Sequence, residues 1–421
     1  MKICKQPIKA SLSLFFIIGT IALYSCVEEY WPELEGSYEN LLVVDGKITN
    51  EPGPYTIQLS RSSSLLDNDY NPLTGAIVVI SDDAGNTETL FESSPGNYKT
   101  SIIGMQGVIG RKYKLSISSD GKTYESAYEE LLAPTGVESV NYVEETQKIS
   151  ETEEIYESGY QFYLTTERAS NPKNYFYWEV VETYEYHAPY TIDYIYNGSY
   201  NSTGGLINYD EPYALYYCWT TKNVNQIYTQ NTEYLSEAKV RNLPLHFIPM
   251  EDEKLRIQYS MIAKQYSISE TAYHFKKSLE DLNSDNSGLY AIQPYQIRGN
   301  LYNVDTPEEP VLGYFLTAGV SYSEHVFTPT PMITQAEADQ WSRETCFVVA
   351  PDAFNKKPSY REVIAMSSPQ DWPLYLSIVW ATAFGPSGTS YIPLTYVHDK
   401  FLCIDCRTNG GTTQKPDFWI D

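Results

Sequence analysis

The chain has few basic residues. Lys and Arg number 29 against 54 Asp and Glu in 421 residues, a formal net charge of −25. Such a field repels phosphate backbones and excludes nucleic-acid binding through a basic stripe. Histidine is scarce as well, with five residues scattered at positions 187, 246, 274, 325 and 398. The sequence contains no H-E-x-x-H, no G-x-S-x-G elbow and no phosphate loop. The motifs that carry metal-assisted hydrolysis, acyl transfer and nucleotide binding are therefore missing. Carboxylates are so numerous that no pair stands out as a glycosidase acid and base. No catalytic residue, metal site or cofactor is assigned. No apolar run reaches the ~20 residues that span a bilayer as a helix.

What is there is apolar and aromatic. Hydrophobic residues make up 42 % and aromatics 14 %, too much for a disordered chain. The length suggests two or three domains at roughly 100–200 residues each. Tyrosine is in excess, 39 residues against 14 Phe and 7 Trp.

The first residues have their own pattern. Met1–Lys9 carries three lysines and no acid, and an apolar run of about 14 residues follows from Ala10 to Leu23. A basic n-region and a short h-region mark a secretory signal over residues 1–25. The run ends in Leu23-Tyr24-Ser25-Cys26, which resembles a bacterial lipobox. Cleavage before Cys26 and lipidation of its thiol and amine would anchor the chain to a membrane. It would also remove Lys2, Lys5 and Lys9, moving the net charge from −25 to −28. Val27-Glu28-Glu29-Tyr30 resembles the surface-export signal of Bacteroidota lipoproteins. Residues 26–40 read as a polar tether. The expected location is the outer membrane, facing the cell exterior.

Loss of Cys4 and lipidation of Cys26 leave Cys218, Cys346, Cys403 and Cys406 as candidate disulfide residues. Four cysteines in an exported chain allow three pairings. A long closed loop gives the larger entropic effect, which favours Cys403 or Cys406 with Cys218 or Cys346. Cys403-Ile-Asp-Cys406 is a C-x-x-C. As half a zinc site it lacks the other ligands.

From 41 to 134, strand signals recur between turns and predict an immunoglobulin-like β-sandwich. Leu41–Gly46, Tyr55–Leu59, Ala76–Ile80 and Arg111–Ser118 are its clearest strands. In the last, Tyr113, Leu115 and Ile117 share one face. Asp82–Asn86 and Asp120-Gly121 read as hairpin turns. Asp67–Asn71 places oxygens as a calcium loop begins, but Pro72 and Val78 stand where Gly and Glu are needed.

From 135 to 421 the pattern is that of a larger β-rich domain, making the whole chain mainly β. Lys254–Gln265 alternates, with Leu255, Ile257, Tyr259, Met261 and Ala263 on one face. Ser267 and Glu270 fit a capping box. Ile268, Ala272, Phe275, Leu279 and Leu282 form a stripe at helical spacing, predicting a packed amphipathic helix over about 268–284. A short helix is predicted over Gln335–Arg343. Between Tyr175 and Tyr217 lie twelve tyrosines. Pairs two apart project from one face of a strand. Tyr184, Tyr186, Tyr194 and Tyr196 are the candidate binding surface, since aromatic faces stack on sugars and serve interfaces. The alternative is a half-buried sheet surface.

Several strings occur together in order. They are Leu42-Val-Val-Asp-Gly-Lys-Ile-Thr-Asn50, Lys264-Gln-Tyr-Ser-Ile-Ser-Glu270, Tyr273-His-Phe-Lys276, Gln296-Ile-Arg-Gly-Asn300 and Glu309-Pro-Val-Leu-Gly-Tyr-Phe315. The last runs from Cys403-Ile-Asp-Cys406 through Asn409-Gly-Gly-Thr-Thr to Phe418-Trp419. This order resembles the Bacteroidota lipoprotein family called domain of unknown function 4249. The resemblance transfers no catalytic residue. It implies a TonB-dependent outer-membrane β-barrel receptor as partner, and a non-catalytic accessory or binding role in nutrient uptake. The alternative is a stand-alone glycan- or peptide-binding surface protein. A hydrolase would require a concave cluster of histidines or paired carboxylates.

Overall fold

The computed structural model describes residues 40–63, 70–148, 154–198, 206–285, 297–329, 368–371, 373–385, 388–398 and 403–420. The expected signal segment, Cys26, most of the expected tether, Cys346 and the helix predicted over Gln335–Arg343 lie outside the described residues. Within them the protein is mainly β, with 49 % strand, 8 % helix and a single α-helix.

One sheet of eleven strands runs through both halves of the sequence. Its main order is Tyr217–Asn223, Tyr175–His187, Gln258–Ile268, Leu312–Tyr322, Leu42–Thr49, Thr56–Arg61, Asn97–Lys99 and Phe91–Ser94. Leu42–Thr49 and Leu312–Tyr322 pair in parallel, from Val43 opposite Leu312 to Thr49 opposite Ala318. The other pairings along this path are antiparallel.

Alternation along these strands sends side chains to two faces. On one face, Leu42, Val44, Ile48, Ile57 and Leu59 meet Val78, Ile80, Leu115, Ile117 and Tyr124 from a second sheet. That sheet holds Ile77–Asp82, Lys112–Ser119 and Lys122–Ser126, and Tyr113, Leu115 and Ile117 share its buried side as their spacing predicts. The sandwich is not closed by residues 41–134 alone. Leu301–Asn303 pairs with Lys122–Ser126, and Leu301, Val311 and Phe315 belong to the same core. The sheet therefore continues across the division drawn at 134.

The same face of the large sheet carries a second sandwich. A three-stranded sheet of Val137–Lys148, Tyr156–Thr166 and Leu243–Pro249 packs Phe162, Leu164, Leu245 and Ile248 onto Phe176, Trp178, Val180, Tyr259, Met261 and Ala263. The alternating strand begins at Gln258 rather than Lys254, because Asp252 caps a 3-10 turn over Glu253–Leu255.

The helix Glu270–Asp285 lies on the opposite face. Ala272, Phe275 and Leu279 pack against Tyr175, Tyr177, Tyr266, Tyr314 and Leu316. Its cap is Ser269, whose Oγ accepts from the Ala272 N–H at 3.1 Å. Ser267, the expected cap, is still in the strand, where its Oγ accepts from the Thr135 N–H at 3.1 Å. The strands Tyr175–His187 and Gln258–Ile268 are thus covered on both faces, and residues on both sides of each are buried.

Near the helix the sheet carries a polar knot. Lys47 Nζ lies 2.8 Å from Glu179 Oε1, and the Tyr266 hydroxyl donates to Glu179 Oε2 at 2.7 Å. Burial pushes the Glu179 carboxyl up, but the Lys47 ammonium and these hydrogen bonds hold it below its ordinary value.

The parallel pairing leaves no room for a side chain at Gly313. This residue has φ +88°, and a Cβ there would sit 1.9 Å from the Val44 carbonyl oxygen. Gly313→Ala should lose about 3 kcal/mol or more, through a forbidden backbone region and a backbone clash. Thermal or urea unfolding followed by circular dichroism checks this. Stability equal to the parent chain would contradict the assigned register.

Candidate functional site

The far end of the strand Tyr175–His187 gathers most of the unusual side chains. It pairs with Tyr217–Asn223 through Tyr186 opposite Cys218 and His187 opposite Tyr217. Cys218 is disulfide-bonded to Cys406 across 188 residues. The bond ties the edge strand to the C-terminal segment. Trp219 and Thr412 exchange backbone hydrogen bonds at 2.9 and 3.0 Å beside it. Cys403 is disulfide-bonded too. The Tyr186 hydroxyl donates to the Cys406 carbonyl at 2.7 Å.

The four tyrosines singled out by spacing do not form one surface. Tyr184 and Tyr186 stand side by side, with ring centroids 6.0 Å apart, but both are half-buried. Tyr184 packs against the second core, and Tyr186 against Ala188 and the disulfide. Tyr194 and Tyr196 sit in a separate four-stranded sheet, paired with Leu374–Leu376. Tyr196 is only 1 % exposed, packed with Leu374 and Leu376. The two-residue spacing does put each pair on one strand face. Those faces, however, are packed against the protein.

The exposed aromatic cluster is elsewhere. Tyr213 and Tyr217 are 55 % and 39 % exposed, and their rings stack at 5.9 Å with planes 23° apart. Tyr216 meets both edge-on, at 5.5 and 4.9 Å. His187 lies 4.9 Å from the Tyr216 ring and 4.7 Å from the Tyr217 ring. Its Nε2 is 2.8 Å from Glu185 Oε1, and the Trp419 indole N–H reaches Glu185 Oε2 at 3.1 Å. The result is an aromatic shelf with a carboxylate at its margin, braced by the Cys218–Cys406 bond. The sequence signal for it was available. Tyr213 and Tyr217 are four apart, and Tyr217 directly precedes Cys218.

A closed ionic cluster lies nearby. Glu182 has 2 % side-chain exposure, and Lys254 Nζ is 2.9 Å from its Oε1. Lys222 and His246 each approach the same carboxylate at 3.7 Å. The Tyr259 hydroxyl donates to Oε2 at 3.3 Å, and burial pushes its pKa well up. His246 Nε2 is buried with no hydrogen-bond partner among the described residues. The carboxylate is enclosed and already paired, so the cluster serves the interior rather than a substrate. Ser260 Oγ lies 3.3 Å from His325 Nδ1. Ser260 is only 1 % exposed, and among the described residues no carboxylate is seen to orient His325, whose ring stacks on Phe418 at 3.7 Å. The pair lacks the geometry of a nucleophile and base. Among the described residues, no group of three or more His, Cys, Asp or Glu could hold a metal ion.

The fold and site define a mainly β protein in which two sandwiches share one sheet and a disulfide-braced aromatic shelf stands at its edge. The chain matches the family described as Domain of unknown function (DUF4249) over residues 27–324, and it belongs to that family. No curated protein matches it. Among solved structures it is similar to "Biofilm associated protein - B domain". Identity there is 8 %, over 68 % of this chain and 86 % of that one, with a TM-score of 0.14. A structure of manganese lipoxygenase of Gaeumannomyces graminis with part of zonadhesin of Komagataella pastoris aligns at 8 % identity. It covers 55 % of this chain and 90 % of that one, with a TM-score of 0.13. Superpositions this poor carry no argument about function.

Burial holds the His246 pKa below its ordinary value, against the pull of Glu182 and with the push of Lys254. The unfolded chain then binds the proton more readily than the folded one. Stability is full above about pH 6.5 and falls as pH drops from there towards the depressed folded pKa. Burial lowers the His325 pKa in the same direction. His246→Gln should flatten part of this slope when melting temperature is followed from pH 8 to pH 5. An unchanged slope would remove His246 from the account.

Proposed function

We propose that the protein is a lipid-anchored, surface-exposed protein of the outer membrane. It serves as a non-catalytic accessory or binding component of a TonB-dependent nutrient uptake system. The observation that carries the reading is the order Leu23-Tyr24-Ser25-Cys26 followed at once by Glu28 and Glu29. Cys26 precedes the strand Leu42–Thr49 by a polar tether, and that strand is internal to the large sheet. An anchor on this tether holds the body by a strand that links its two sandwiches. The family resemblance supports a β-barrel receptor as partner.

A second reading is a surface protein that binds a glycan or peptide on its own. One observation favours it, the exposed stack of Tyr213 and Tyr217. Tyrosine faces of this kind stack on the C–H faces of sugar rings and fill interface pockets.

Pull-down of the native lipoprotein from outer membranes tests the first reading. The expected result is co-recovery of a TonB-dependent β-barrel, with Cys26→Ser releasing the chain from the membrane fraction. Recovery of a membrane-anchored chain without any barrel would overturn the partnership. In the same preparation, Tyr213→Ala with Tyr217→Ala should leave barrel recovery intact and abolish retention on glycan or peptide arrays if the second reading holds.

A further inference from the structure

The segment between Asn97–Lys99 and Lys112–Ser119 carries the two most exposed aliphatic side chains described. Ile103 is 92 % and Ile102 77 % exposed, with Val108 and Ile109 at 56 % and 51 %. A floppy loop with such residues would carry little meaning. This one is held from within. Glu88 accepts the Ser101 N–H at 2.7 Å and the Met105 N–H as well. The Gln106 amide donates to the Asn50 carbonyl at 2.8 Å. Gly107 N–H donates to the Tyr55 hydroxyl at 3.1 Å, and Val108 N–H to the Tyr113 hydroxyl at 2.8 Å. Met105 packs onto the first core. The backbone is fixed to the sandwich while four aliphatic side chains project from it.

We propose that this loop is a membrane wedge, which inserts Ile102, Ile103, Val108 and Ile109 into the lipid surface that holds Cys26. The proposal rests on the lipid-anchor reading. Two observations favour a lipid surface. From Ser101 to Gly110 there is no titratable side chain, and the first charges beyond are the cations Arg111 and Lys112, in a chain of net −25. Aliphatic tips followed by basic residues, of which Arg111 also meets Asp83 at 3.4 Å, suit the boundary between acyl chains and anionic headgroups. The tether also reaches far enough. The loop sits at the Thr49 end of Leu42–Thr49, about 26 Å from where the tether enters. The residues between Cys26 and Leu42 extend to roughly 50 Å. A second apolar contact on an already anchored chain acts at high effective concentration.

The test uses the full lipoprotein in vesicles of phosphatidylethanolamine and phosphatidylglycerol. Ile103→Cys carries an environment-sensitive nitrobenzoxadiazole label, and Tyr234→Cys, at a position 88 % exposed, serves as control. The expected result is a blue-shifted, brighter Ile103 label that doxyl-lipids quench, beside an unshifted control. A label at Val108→Cys should lose its shift when Ile102→Asp and Ile103→Asp are added. Flotation with the vesicles separates the two ways of failing. A chain that floats with an unshifted Ile103 label overturns the wedge alone. A chain that does not float overturns the anchor reading and the wedge with it.

Discussion

The parallel pairing of Leu42–Thr49 with Leu312–Tyr322 joins segments about 270 residues apart. Parallel neighbours need a long crossover, and here most of the described chain is that crossover. Everything between must return the sequence to the first strand's side. The close approach is enforced by glycine. A Cβ on Gly313 would strike the Val44 carbonyl, and one on Gly299 would strike the carbonyl of Gly313. The polar knot of Lys47, Glu179 and Tyr266 ties Leu42–Thr49 to Tyr175–His187 and Gln258–Ile268 on the helix side. Glu129 adds a further tie. It is buried between the Tyr314 hydroxyl and the helix cap Ser269, and burial pushes its carboxyl up.

From that pairing the rest of the architecture follows. The first sheet neighbour beyond Leu312–Tyr322 is Gln258–Ile268, and the next is Tyr175–His187. Both are internal, so their apolar residues are covered by the second sandwich on one side and the helix on the other. The end of Tyr175–His187 emerges at the sheet edge. There the ladder to Tyr217–Asn223 and the Cys218–Cys406 bond place His187 beneath Tyr216 and Tyr217. The aromatic shelf is therefore braced by the sheet, while the apolar loop at 101–109 is held by hydrogen bonds to Glu88, Tyr55 and Tyr113 of the first sandwich. The two candidate contact surfaces are held by different parts of one framework.

Much of the fold was legible because it depended on local periodicity. Tyr113, Leu115 and Ile117 alternate in the sequence and share a buried face. Ala272, Phe275 and Leu279 recur at helical spacing and pack as one stripe. What stayed hidden was non-local. Nothing near Leu301 or Phe315 signals that they complete the sandwich begun at Leu42, since strand partners are chosen by tertiary packing. The helix cap was placed two residues early for a related reason. Ser267 is claimed by the sheet and by Thr135, leaving Ser269 to cap. The tyrosine surface misled in the same manner. Spacing shows that Tyr194 and Tyr196 share a strand face, but not that Leu374 and Leu376 cover Tyr196.

The dependence of both halves on one sheet can be measured with a fragment. Residues 41–134 include most strands of the first sandwich but lack Leu301–Asn303 and Leu312–Tyr322. Expressed alone, this fragment should show no cooperative thermal unfolding and no slowly exchanging amides in Leu42–Thr49. A fragment that unfolds cooperatively, with that strand protected from exchange, would contradict the claim that the far strands complete it.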